Sequence, residues 1–127
     1  MNCLEILRAE WVTFFDRFSL QHEYWLANLF LIEPDGSKHL VAHELPLQAI
    51  ATNLKSGEDT ISIILANARS EMLTHHQEHV QRVCLHQDPS GAHTSIELGA
   101  ADGTKAILEF RSPVLPETVD GVMEMRE

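Results

Sequence analysis

Residues 94–110 read TSIELGA, then ADG, then TKAILEF, two alternating apolar runs around a turn signal, and they restrict the fold more than any other stretch. A two-residue loop at Asp102-Gly103 would pair Leu98 with Ile107 and Ile96 with Glu109, which throws the apolar sets Ile96/Leu98/Ala100 and Ala106/Leu108/Phe110 onto opposite faces. A three-residue loop, Ala101-Asp102-Gly103, removes that conflict. Leu98 then faces Ala106, Ile96 faces Leu108, and Gly103 takes the left-handed position that closes a type I turn with a glycine bulge. The spacing therefore predicts an antiparallel hairpin with one dry face. Ser95, Glu97, Lys105, Glu109 and Arg111 fall on the wet side, with Ile107 the one misfit.

The rest of the chain supplies partners for that dry face. Trp11, Phe14, Phe15 and Phe18 recur at i, i+3, i+4 and i+7, which predicts an amphipathic helix over 8–18 whose aromatic face lies on a sheet. YWLANLFLI, from Tyr24 to Ile32, is apolar on both parities and reads as a strand covered on both faces. Pro34-Asp35-Gly36-Ser37 turns it into SKHLVAHEL, and Pro46 should end that strand, because it cannot donate to a ladder. Gln48 to Leu54 is ambiguous between a helical turn and an extended connection. TISIILA alternates, with Ile61, Ile63 and Leu65 inward; EMLTHHQ and VQRVCLHQ are strand-like, and Asp88-Pro89-Ser90-Gly91 leads into the hairpin. Pro116 and Gly121 suggest a turn or short helix over 113–121, followed by a tail at 122–127. The fold expected is one α+β domain spanning 1–127. Its N-terminal helix packs on a bent, mainly antiparallel sheet or partial barrel of six to seven strands within 24–111.

At 127 residues the chain can bury one core. Nine Lys and Arg against nineteen Asp and Glu give a formal charge of −10, spread along the sequence, which argues against nucleic acid and anionic lipid as partners. Cys3 and Cys84 are too few for a disulfide framework and lack the spacing of a redox or zinc pair. A reducing compartment is the plainer expectation, with Cys84 an inert, buried or half-buried thiol between Val83 and Leu85. No window approaches a membrane span and the N-terminus lacks a basic leader, so a cytoplasmic protein is expected, without membrane association.

Eight histidines is a high count, and three lie in THHQEHV. His75, Glu78 and His79 spell the H-x-x-E-H of one zinc-protease class, and His76 could add to a metal set. That chemistry needs two imidazoles one helical turn apart, whereas MLT and VQRVCL favour extended chain, in which His75 and His76 point to opposite faces. No nucleophile elbow, P-loop or dinucleotide fingerprint occurs, and no cofactor is expected.

The patterns EW..F.D.FS..H..W near the N-terminus and ADGT…FRSP..PE.VDG near the C-terminus resemble a family of small bacterial proteins, the domain-of-unknown-function family numbered 5335. The likeness covers about Arg8 to Gly121. It implies no activity, but it marks Trp11, Phe14, Ser19, His22, Trp25, Arg111, Ser112, Pro113 and Pro116 as matching. Among these, Ser19, His22 and Arg111 have no evident packing role and are the candidates for a polar site. The functional expectation is a non-enzymatic binding or stress-associated accessory module, working as a homodimer. The alternative is a metal-binding protein or metal-dependent hydrolase using His75, His76 and His79.

Overall fold

The computed structural model describes residues 2–55, 58–67 and 71–114. Its strands are β1 (Asn2–Ile6), β2 (Leu26–Ile32), β3 (Lys38–Asn53), β4 (Thr60–Ala66), β5 (Met72–Gln77), β6 (Val80–Gln87), β7 (His93–Ala100) and β8 (Lys105–Val114). They form one antiparallel sheet in the order β1-β6-β7-β8-β2-β3-β4-β5. One helix, α1 (Trp11–Gln21), follows a short 3-10 turn at Arg8–Glu10. The sheet thus has eight strands where six to seven were expected. The addition is β1, whose short NCLEI run carries little pattern of its own and gains its pairing from β6.

The expected hairpin stands in its expected register, with Ile96 opposite Leu108 and Leu98 opposite Ala106. Gly103 has φ +94°, and the Asp102 carboxylate accepts from both the backbone N–H and the hydroxyl of Thr104, which pins the turn. Ile61, Ile63 and Leu65 of β4 are fully buried, as their alternation predicts.

Elsewhere the sheet departs from expectation. β3 runs through Pro46 instead of ending there, because Pro46 stands where the strand changes partner: β2 pairs with it up to Leu26–Pro46, and β4 takes over from Leu47–Leu65. The missing proline N–H falls at this handover, next to a bulge where Glu44 adopts φ +50° and its N–H finds the Asn28 side chain at 2.8 Å. β2 begins at Leu26, two residues late, after Tyr24 turns the chain at φ +71°. Only its Ala27/Leu29 parity is fully buried; Phe30 is half-buried under the Lys38 ammonium, 4.2 Å from the ring centre. The expectation of a strand covered on both faces is corrected accordingly. β8 continues to Val114, and the rest of the expected 113–121 turn lies outside the described residues.

Sheet curvature follows from one connection. β5 lies at one edge and β6 next to the other, six strand spacings away, or about 29 Å in a flat sheet. Yet only Glu78 and His79 separate them in the chain, a reach of about 10 Å. The sheet must curl until these strands approach. Val80 N–H donates to the Asp59 carbonyl, Ala101 N–H donates to the His79 carbonyl, and the Gln77 amide reaches Thr104, which ties the curled end together. β5 and β6 do not pair, so the barrel stays open, with edges at β1 and β5.

The helix closes over the core. Trp11, Phe15 and Phe18 are buried, and the Trp11 indole donates to the Ile6 carbonyl at 2.8 Å. Phe14, expected on the same buried face, is only half-buried at its margin, and the helix is shifted to 11–21 because 8–10 winds as a 3-10 turn. Arg8 forks onto the Asp59 carboxylate through Nε and a terminal nitrogen, at 2.5 and 2.8 Å, and so joins the helix entry to the loop before β4. Cys3 and Cys84 also depart from expectation: the structure joins them as a disulfide between β1 and β6, with Cα atoms 5.5 Å apart, a span that suits such a bond. This removes the argument for a reducing compartment that rested on unpaired cysteines. Among the described residues no helix is long and apolar enough to cross a membrane.

Four substitutions test this packing and the hairpin turn. Phe15→Ala should cost about 3–5 kcal/mol in denaturant unfolding, and Phe14→Ala clearly less, since its ring is only partly covered. Gly103→Val should destabilise by about 1–3 kcal/mol, because a β-branched residue resists positive φ, and its Cβ would meet Pro34 at 3.4 Å. Equal costs for Gly103→Val and Asp102→Ser would rule out the glycine-bulge turn.

Candidate functional site

The histidines of THHQEHV do not converge. β5 is extended, so His75 and His76 point to opposite faces: His75 Nε2 meets the Gln77 side chain at 2.7 Å, and His76 Nδ1 meets the Ser62 hydroxyl at 2.6 Å. His79 follows in the tight connection at φ +55°. The helical pair that H-x-x-E-H requires is therefore absent, and no group of three or more His, Cys, Asp or Glu among the described residues could hold a metal ion.

Ser19, His22 and Arg111 also take separate places. The Ser19 hydroxyl accepts from Ile50 N–H at 2.8 Å and donates to its carbonyl at 3.3 Å, clamping α1 to β3. Arg111 points outward, with its guanidinium 3.7 Å from the Glu44 carboxylate. His22 alone enters a polar arrangement inside the fold.

His22 caps the C-terminal end of α1 and is completely buried. Its ring stacks on Phe18 at 4.1 Å and Phe110 at 4.9 Å, and meets Trp25 edge-on. Nδ1 lies 2.9 Å from the Phe18 carbonyl, and Nε2 lies 3.2 Å from Nδ1 of His93, a residue only 7% exposed. A carbonyl can only accept, so His22 carries its proton on Nδ1. Burial in an aromatic box lowers the His22 pKa to about 4 and also lowers that of His93, so both rings are neutral at pH 7. The bare Nε2 of His22 must then accept from Nδ1–H of His93. One backbone carbonyl thereby fixes the tautomer of two rings in series.

The result is a lone pair on His93 Nε2, which has no partner among the described residues. His93 lines a cleft of about 480 Å³ along the outer side of α1, with Glu10, Thr13, Phe14, Arg17 and Gln21. Phe18 lies behind it, nearly parallel to His93 at 6.0 Å. The cleft is therefore lined by an aromatic wall, by a buried histidine with a free acceptor, and by side chains of both charges. His22 could be singled out from sequence only through the family pattern, and His93 not at all. By alternation His93 shares the wet parity of Ser95 and Glu97. Register shifts in both neighbouring ladders, between His86 and Gln87 and between His93 and Ser95, turn it inward.

The family model described as a family of unknown function (DUF5335) matches residues 2–118. The chain belongs to this family. Comparison with curated proteins and with solved structures finds no match. The family match confirms the resemblance and assigns no chemistry, so the site has to be read from its geometry.

Protonation gives a direct test of the buried pair. A histidine whose folded pKa is depressed leaves the unfolded chain binding more protons, so stability is full above about pH 6.5 and falls as the pH drops toward 4. His22 alone should remove up to about 3 kcal/mol across that window, with His93 acting in the same direction. Asp35, Asp59, Asp88 and Asp102, whose pKa values are lowered by hydrogen bonds, hold their contribution until lower pH. Urea unfolding at pH 7 and pH 4.5 measures the difference; a flat profile would contradict neutral burial.

Proposed function

We propose that, of a binding or a stress-associated accessory module, the protein is the former: a small non-enzymatic binding module that holds a small ligand in the cleft beside α1 and works as a homodimer. The observation that carries this reading is the tautomer-fixed acceptor of His93, a buried residue that lines a cleft with an aromatic wall. Such a mixture of apolar lining and one placed polar atom is what ligand sites are made of. The geometry favours recognition over proton transfer, because the group behind His93 is a neutral imidazole. Unlike a carboxylate in that position, it cannot stabilise an imidazolium forming on the ring.

Self-association is supported by the open edges. Among the described residues β5 has no partner on its outer side, and Met72 at its start is 69% exposed. Antiparallel pairing of two β5 edges across a two-fold axis would satisfy their free backbone groups. β1 suits this less, being short and fastened to β6 through Cys3 and Cys84.

Native mass spectrometry of the full chain purified from its natural host tests both parts. The expected spectrum is that of a dimer carrying a small non-covalent adduct. The adduct should vanish in Thr13→Trp, which fills the cleft from an exposed helix position, and the dimer should weaken in Met72→Lys. An adduct that survives Thr13→Trp, or a monomer without adduct, would overturn the reading.

A further inference from the structure

The polarity of the cleft narrows the ligand to one chemical class, an inference that rests on the binding-module reading above. The fixed tautomer makes His93 Nε2 an acceptor, so the ligand must bring an O–H or N–H. A carboxylic acid fails, because at neutral pH it is ionised and would set its own lone pairs against that of His93. An ammonium fails on the cost of removing a cation from water against the aromatic wall. What fits is a neutral group that keeps its proton at pH 7. The wall supplies the rest: Phe14 and Phe18 stack at 5.4 Å and 28°, and His93 lies nearly parallel to Phe18, so a flat ring continues an existing stack.

We propose that the cleft beside α1 takes a phenol, with its ring against Phe14 and its hydroxyl donating to Nε2 of His93. A neutral aromatic alcohol meets each of these demands, and a cleft of about 480 Å³ has room for one ring with substituents.

Isothermal titration of the full chain with phenol and with anisole, its methyl ether, isolates the hydrogen bond. Phenol should bind saturably and at least about tenfold more tightly than anisole, the discrimination expected when a buried acceptor loses its donor. His93→Phe, which keeps a ring and removes the acceptor, should bring the two affinities together, and Thr13→Trp should abolish both. Equal affinity of the native chain for phenol and anisole would overturn the phenol class while leaving the cleft a binding site. Absence of phenol binding by adduct-free chain, while protein from the natural host still carries an adduct lost in Thr13→Trp, would overturn the class alone. Phenol binding untouched by Thr13→Trp would place the ligand elsewhere and also overturn the proposal.

Discussion

The joint on which this fold depends is the buried imidazole of His22. It ends the helix, its backbone N–H and its Nδ1 both directed at the Phe18 carbonyl, while its own carbonyl accepts from Trp25 N–H as the chain turns toward β2. Its ring meets Phe18 from the helix, Trp25 from the turn, Phe110 from β8 and His93 from β7. A larger apolar residue could fill this space but could not satisfy the carbonyl or the neighbouring histidine. Burying a polar ring is costly unless each of its nitrogens finds a partner, and here both do. The same two bonds that make His22 tolerable in the core determine what His93 shows to the cleft.

The second constraint is topological. Sequential hairpins from β2 to β5 and from β6 to β8 are local and easily formed, but β8 lies beside β2 and β1 beside β6, so the ends of the chain complete the sheet. The two-residue joint between β5 and β6 curls it, and the helix covers the core so enclosed. A fully closed barrel would have no edges. Stopping short of closure leaves β1 and β5 as edges without a further strand among the described residues, and of the two it is β5 that stands unfastened.

How far this was legible in the sequence depended on whether local pattern or distant partners decided each element. The β7–β8 register, the bend at Gly103 and the inward set of β4 were readable, because side-chain parity and turn chemistry fix them within a few residues. β1 was not, since five residues without clear alternation become a strand only when β6 is there to pair. Nor was the passage of β3 through Pro46, which is harmless only at a change of partner. At the site, His75 and His76 were readable as opposed in direction, since a strand alternates. The inward turn of His93 depends on register shifts in two ladders, and the contact of Cys3 with Cys84 on a pairing 81 residues apart in sequence; neither leaves a local mark.

Everything said of the cleft follows from where two protons sit. Long-range proton–nitrogen correlation spectra of the full chain with labelled histidine report the protonation of each ring nitrogen directly. At pH 7 both His22 and His93 are expected to be neutral, each with its proton on Nδ1 and a bare Nε2. A proton on Nε2 of His93, or a charged ring at either position, would contradict the arrangement.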